Sequence, residues 1–128
     1  MADKPVIRDA VAIVPVRDVV ETIRFYTDIL GFAGQVLAED NSYGSVRRGG
    51  AAMDLLATDD ADALKATATN IALAVWVEGL DDLYAELKPK LDMLPKGRVR
   101  PPFDQPYGVR EFHVKDPDGC LLFFAERD

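Results

Sequence analysis

The only histidine of the chain lies in "VREFHVK", a segment in which polar and apolar residues alternate. Glu111 and His113 are two positions apart, so in a strand they share a face and lie about 6–7 Å apart along the backbone. Asp54 is a further acid, in the otherwise apolar segment "AAMDLLA". A histidine with two carboxylates can bind non-haem iron, and a histidine beside an acid can move protons. No spacing motif forces these three together and nothing marks an activated nucleophile, so we interpret His113 as a pocket-lining residue.

Two series of elements, each strand–helix–three strands, are predicted to position these residues. The first comprises the strand "DAVAIVPV", a helix in "RDVVETIRFYTDILGF", and strands around "FAGQVLAE", "YGSVRR" and "AAMDLLA". Asp18 is predicted as the N-cap of the helix and Gly31 as its left-handed C-cap. Because Pro15 lacks an N–H, the first strand is expected at an edge. The polar, alanine-rich segment 58–69 is predicted as the loop between the two series.

The second series begins with the strand "NIALAVWV" and the helix "GLDDLYAELKPKLDML", which we expect to kink or end before Pro89. Strands around "GRVRPPF", "VREFHVK" and "CLLFFAE" follow, with "DPDG" as the turn between the last two. The sequence therefore predicts a single α+β domain over residues 1–128. Its first module spans approximately residues 6–57 and its second approximately residues 70–127.

Alternation along the strands predicts a concave, mostly apolar face that could hold a ligand. In "NIALAVWV", Ala72, Ala74 and Trp76 share a face. The two alanine side chains are small, so they leave space beside the indole ring for a ligand. Glu111 and His113 fall on the open side of their strand, as Phe123 does in the last strand. Tyr107 and Phe103 are placed on the loop before "GVREF", at the mouth. The predicted ligand-binding residues are Tyr43, Asp54, Ala74, Trp76, Phe103, Tyr107, Glu111, His113 and Phe123.

Composition restricts the partners and the compartment. A net charge of −7 repels phosphate backbones, so we expect no nucleic-acid binding, and it favours cationic ligands. No apolar run approaches the roughly 20 residues that cross a bilayer. "MADKPVIRDA" lacks the apolar core of a signal peptide, and the single Cys120 excludes an internal disulfide. We therefore expect a cytoplasmic protein without membrane partners, in which Cys120 is a small buried hydrophobe.

The sequence resembles the glyoxalase/bleomycin resistance/dioxygenase superfamily, also called the vicinal oxygen chelate fold. The resemblance is carried by "VPVRDVVETIRFYTDILGF", "VWVEGLDDLYAEL" and "DQPYGVREFHVKDPDGCLLFFAE". It implies two βαβββ modules that form a curved mixed sheet with a concave cavity. The likeness is greatest to bleomycin-binding resistance proteins, which dimerise and sequester a cationic, aromatic-tailed antibiotic at the subunit interface. This resemblance implies a homodimer, a small-molecule ligand of that kind and no cofactor.

The resemblance also implies where a metal would bind in enzymes of the family. Their ligand positions correspond here to Val11, Asp54, Ala72 and Phe123, and three of these four side chains are hydrocarbon. The inherited metal site is therefore expected to be absent. The alternative is a glyoxalase-like lyase or isomerase, or a dioxygenase, with a metal site relocated to Asp54, Glu111 and His113. Ala74 stands where the drug binders have a second stacking tryptophan, which leaves a ligand other than bleomycin open.

Overall fold

A computed structural model describes residues 4–128 and contains two four-stranded sheets and three helices. The first sheet has the order β1-β4-β3-β2. Its strands, with the helix that follows β1, are β1 (Ala12–Val16), α1 (Val19–Asp28), β2 (Ala33–Val36), β3 (Tyr43–Arg48) and β4 (Ala51–Ala57). β1 runs parallel to β4, and the other pairs are antiparallel.

The second sheet repeats this arrangement with the order β5-β8-β7-β6. It follows α2 (Ala61–Asn70) and comprises β5 (Ala72–Trp76), α3 (Leu80–Leu91), β6 (Val99–Gln105), β7 (Val109–Lys115) and β8 (Leu121–Arg127). β5 runs parallel to β8, and the remaining pairs are antiparallel. The predicted α+β fold with two βαβββ series is confirmed.

Helix α1 begins as its sequence predicts and ends two residues earlier than predicted, with Ile29 as its C-cap. The Asp18 carboxylate accepts the backbone N–H of Glu21 at 2.9 Å and caps the first turn. Gly31 follows the helix with φ +73°, a left-handed conformation that glycine adopts without strain. Val19 and Tyr26 are fully buried on the face that α1 presents to the first sheet. Capping and apolar spacing together explain the position of this helix.

One prediction about the helices is wrong, and one of the two alternatives for α3 is excluded. Residues 58–69 do not form a loop, because α2 spans Ala61–Asn70 with Asp60 as its N-cap. Only Thr67 of α2 is buried, so no apolar stripe marked this helix in the sequence. Helix α3 was predicted to kink or to end before Pro89, and the second alternative is excluded because the helix continues to Leu91. Burial of Leu87 and Leu91 stabilises this last turn although the proline lacks an N–H donor.

One hydrophobic core joins the helix-facing sides of both sheets and includes Tyr26, Leu55, Phe112 and Leu122. Cys120 is buried beside this core, and burial raises the pKa of its thiol to about 12, so it remains a neutral, unreactive thiol. β1 lies at the end of the strand order, beside β4, which places Pro15 on an edge strand as predicted. Within residues 4–128, no helix has the length and apolar character needed to cross a membrane.

The two halves are also joined by polar contacts of Arg48, the last residue of β3. Its guanidinium donates to the carbonyl of Leu30 at 2.9 Å and pairs with Glu86 of α3 at 3.0 Å. At the other end of α1, the Arg17 N–H donates to the carboxylate of Asp118 at 3.1 Å. These contacts fix the second sheet relative to the first helix.

Candidate functional site

The side of the second sheet that faces away from the core carries most of the residues predicted to bind a ligand. We call it the open face. Strand pairing aligns two rows of side chains across all four strands of this face. One row consists of Ala74, Phe123, His113 and Arg100. The neighbouring row consists of Trp76, Ala125, Glu111 and Phe103.

At the centre of the open face, Glu111 and His113 form a hydrogen-bonded pair. The Nε2 atom of His113 lies 2.7 Å from the Glu111 carboxylate, and the hydroxyl of Tyr107 donates to the other carboxylate oxygen at 3.3 Å. Glu111 is only 3% exposed. Burial raises the pKa of Glu111, but hydrogen bonds from His113, Gln105 and Tyr107 and the charge of His113 outweigh it and lower the pKa. Glu111 is therefore ionised, and His113 donates Nε2–H to it.

Aromatic rings surround this pair. The His113 imidazole stacks on Phe123, with ring centroids 4.1 Å apart and planes inclined by 27°. Phe103 meets the imidazole edge-on at 5.2 Å. One strand beyond Phe123, the side chain of Trp76 is 53% exposed. The arrangement fixes the histidine ring and leaves half of the indole exposed beside the guanidinium of Arg127, which suits a planar group.

A β-bulge brings Phe103 onto the open face. The pairing of β6 with β7 shifts between Arg100 and Phe103, so residues three positions apart point to the same side. The prediction that Phe103 lies on a loop is therefore wrong, since it lies within β6. Tyr107 is on the turn between β6 and β7 as predicted, with 69% of its surface exposed.

Tyr43 and Asp54 lie in the first sheet, apart from the Glu111–His113 pair. The Tyr43 hydroxyl donates to the Asp54 carboxylate at 2.7 Å, across strands β3 and β4. This hydrogen bond, then burial and the charge of Asp54, raise the pKa of Tyr43. Asp54 is thus engaged by a neighbour in its own sheet, and the chain does not bring it together with Glu111 and His113 in a donor cluster.

The donor set does not fit the metal that enzymes of this fold would imply. Of the four corresponding positions, Val11, Ala72 and Phe123 carry no donor atom, and Asp54 accepts a hydrogen bond from Tyr43. Among residues 4–128, no three His, Cys, Asp or Glu side chains are placed to hold an ion. A single carboxylate leaves a divalent ion essentially in water.

A groove of about 710 Å³ runs along the edge of β5 at the junction of the two halves. Ala74 and Trp76 line it together with the turn at Gly49 and Gly50. The remaining predicted residues do not line this groove. Tyr43 and Asp54 lie in the first sheet, and the others lie further across the second sheet or on the turn between β6 and β7. Trp76 therefore belongs both to the groove and to the open face.

Sequence reasoning missed three cationic residues on the open face. The guanidinium carbon of Arg100 lies 3.5 Å from the ring centroid of Phe103, and that of Arg127 lies 4.3 Å from the ring of Trp76. Lys115 shares the strand face of Glu111 and His113 and is exposed. Strand alternation would have found Arg127 and Lys115, whereas the bulge conceals Arg100.

The chain matches known proteins over nearly its whole length. Residues 8–124 match the model of the Glyoxalase/Bleomycin resistance protein/Dioxygenase superfamily. None of the curated proteins matches the chain. Among solved structures, it is similar to the bleomycin-binding protein of bleomycin-producing Streptomyces verticillus in complex with copper(II)-bleomycin. That protein is 25% identical with a TM-score of 0.75, and the match covers 98% of this chain and 100% of the other.

Two further structures share the fold at lower identity. The bleomycin resistance determinant encoded on the transposon Tn5 is 23% identical, with a TM-score of 0.75 and coverage of 95% and 99%. A glyoxalase-related enzyme from Clostridium phytofermentans is 20% identical, with a TM-score of 0.72 and coverage of 99% and 100%. The chain therefore belongs to the glyoxalase/bleomycin resistance protein/dioxygenase superfamily.

Proposed function

We propose that this protein binds a small molecule without a resident metal and sequesters it against the open face. The observation that carries the proposal is the placement of Trp76, Phe123 and His113 on three adjacent strands of one face, in two neighbouring rows, with the indole half exposed. A planar ring placed there stacks on aromatic surface that the fold already holds in position. Preorganised aromatic surface of this kind favours binding because little side-chain freedom is lost.

The Glu111–His113 pair supports binding better than catalysis. Its imidazole is held between Phe123 and Phe103 and donates to a buried carboxylate, which orients the ring. An enzyme with a relocated metal site in one chain would need Asp54 beside this pair, and within the chain Asp54 lies in the other sheet. The similarity to bleomycin-binding proteins also makes a bleomycin-type antibiotic the first ligand to test.

We also propose that two copies assemble and cover the open face of the second sheet and the outer side of the first sheet. The first sheet exposes 57% of Ile13 and 44% of Leu56 on its outer side, and the second exposes Trp76. Apolar surface on both sheets is expected to be covered in a stable assembly. Light scattering of the purified protein at micromolar concentration is expected to give the mass of a dimer. A monomer would overturn this part of the proposal.

Titration calorimetry tests the binding function with copper(II)-bleomycin and with metal-free bleomycin. We expect saturable binding that is weakened about tenfold or more by Trp76→Ala or Phe123→Ala, which each remove a stacking ring. Met93→Ala is the matched control, because Met93 is a 79% exposed apolar side chain outside the open face.

Two outcomes would contradict the proposal. If neither form of the drug produces heat on titration, a bleomycin-type antibiotic is excluded as the ligand. Stoichiometric zinc, nickel, iron or manganese in elemental analysis of the purified protein would support the metalloenzyme alternative.

A further inference from the structure

The open face is positively charged although the whole chain carries a net charge of −7. Arg100, Lys115 and Arg127 point to this side and are exposed. Among the described residues, none of the three makes a side-chain hydrogen bond or an ion pair with a protein group. Their charges are therefore available to a ligand.

The acidic groups near these cations are engaged, with the exception of Glu78, which is exposed and lies beside Trp76 and Arg127. Glu111 shares the open face, but it is buried and accepts hydrogen bonds from His113 and Tyr107. Glu126 points to the opposite side, where its carboxylate accepts the backbone N–H groups of Gly79 and Leu80 at the start of α3. Neither carboxylate is free to attract a cationic ligand.

Two further carboxylates share one arginine on the far side of this sheet. Asp81 and Asp104 both pair with Arg110, at 3.1 and 3.2 Å. Arg110 is adjacent to Glu111 in β7, so alternation points it away from the open face. The charge balance of the open face therefore differs in sign from that of the molecule.

Two of the cations are also held in place by aromatic rings. Arg100 stacks on Phe103 at one edge of the sheet, and Arg127 stacks on Trp76 at the other. A guanidinium stacked on a ring keeps the N–H groups at its rim directed outward, where they can donate to an oxyanion. An aromatic platform flanked by such donors is complementary to a ring that carries a negative group.

We infer that the ligand of the open face is a planar aromatic molecule bearing an oxyanion, such as a carboxylate or sulfonate. This inference rests on the proposed binding function and reverses the sign of charge that the overall composition favours. The ring stacks on the Trp76 and Phe123 side of the face, and the oxyanion accepts hydrogen bonds from an arginine at its edge. A cationic ring would bind more weakly, because Arg100, Lys115 and Arg127 outnumber the one free carboxylate beside Trp76, that of Glu78.

Three probes with one aromatic skeleton test the inference: para-phenylbenzoate, para-phenylbenzyl alcohol and para-phenylbenzylammonium. Trp76 is the only tryptophan, so its fluorescence reports binding at this face directly. We expect the carboxylate to bind most tightly and the ammonium most weakly, with about tenfold or more between them. Added salt should reduce this difference, because the charges are exposed.

The outcomes separate this inference from the function on which it rests. If the alcohol binds at Trp76 and the carboxylate binds no better, the charge preference is wrong and the binding function stands. If the ammonium binds most tightly, the inference is likewise overturned. If none of the probes changes the fluorescence of Trp76, both the inference and the proposed aromatic site fail.

Variants that each remove one arginine charge test whether the preference for the carboxylate arises at the open face. Arg100→Gln or Arg127→Gln is expected to weaken binding of para-phenylbenzoate about three- to tenfold and to leave the alcohol unchanged. Arg24→Gln is the control, since it removes the same charge from an exposed position on α1 outside the open face. If all three variants weaken binding equally, the preference for the carboxylate arises from the net charge of the protein. That result would contradict a binding site for the oxyanion on the open face.

Discussion

The imidazole Nε2 of His113 lies 2.7 Å from the carboxylate of Glu111, and the carboxylate is almost completely buried. Since the pKa of Glu111 is lowered in the fold, the histidine donates this hydrogen bond to a charged acceptor. The pair is therefore a fixed polar element beneath the aromatic surface. It orients the imidazole and it couples the stability of the second sheet to pH.

Glu111→Gln is expected to lower the free energy of unfolding by about 1–3 kcal/mol at neutral pH, because a buried charge-assisted hydrogen bond is lost. A carboxyl with a lowered folded pKa stabilises the protein above its ordinary pKa of 4.5. This contribution disappears as the pH falls through the lower folded pKa. Urea unfolding of both proteins across acidic and neutral pH should show their difference shrinking in acid.

Tyr107→Phe is the control for this experiment. It removes only the hydrogen bond from an exposed hydroxyl and should cost less than about 1 kcal/mol. A difference between wild type and Glu111→Gln that persists unchanged in acid would exclude ionised Glu111 as the source of the stability.

Asp116 is expected to make the protein less stable as the pH rises through about 6. Burial raises the pKa of this carboxyl to about 6 from 3.8, and its Oδ2 atom has no partner among the described residues. The protonated form is thus favoured by folding, and its stabilisation is complete below the ordinary pKa and lost as the pH rises through the folded value. A rise of roughly two pH units in pKa corresponds to about 2–3 kcal/mol.

Asp116→Asn replaces the titratable carboxyl with an amide and is expected to remove this pH dependence of stability. The amide keeps an oxygen to accept the backbone N–H groups of Asp118 and Cys120, which lie at 3.0 and 2.8 Å in the native turn. Above pH 7 the variant should be at least as stable as wild type in urea unfolding. The same pH slope in both proteins would show that another group is responsible.

Two adjacent phenylalanines of β8 should respond differently to truncation. Phe124 is 2% exposed and stacks on Phe112 with ring centroids 4.8 Å apart, so Phe124→Ala should cost about 3–5 kcal/mol. Phe123 lies on the half-exposed open face, and Phe123→Ala should cost clearly less while removing the ring beneath His113. Urea midpoints measure both. Equal losses of stability would mean that Phe123 is packed as closely as Phe124, which would contradict the difference in their exposure.

Gly31→Ala is expected to destabilise the protein by about 1–3 kcal/mol through backbone strain and a steric contact. Gly31 has φ +73°, and a Cβ there would lie 2.8 Å from Nη1 of Arg48, the atom that donates to Leu30. Gly50→Ala is the matched control, because no atom lies within 4 Å of its added Cβ and its φ is not positive. That substitution should change the unfolding free energy by less than about 0.5 kcal/mol. Similar melting temperatures for the two variants would contradict the strain argument.

Strand alternation predicted much of the site. It placed Ala74, Trp76, Glu111, His113 and Phe123 on one face, because side chains alternate strictly wherever a strand is regular. The same rule could not locate Arg100, since the bulge in β6 shifts the alternation by one residue. The residues of the open face were thus predictable except where the ladder is irregular.

Other features depended on information that alternation does not contain. Alternation assigns faces within a sheet but does not say how two sheets lie relative to each other, so the separation of Asp54 from Glu111 could not be derived. Helix α2 was missed because it buries only Thr67 and so lacks an apolar period. Its cap at Asp60 and its alanines were the available signals.

Pro101 and Pro102 occupy the bulge of β6, which is the outer strand of its sheet. Two consecutive residues without an N–H, at a kinked position, cannot donate to an added strand. The exposed edge of β6 is therefore a poor template for an added strand, and we do not expect the sheet to extend from this edge into a filament. We therefore expect self-association of the protein to use surfaces other than this edge of β6.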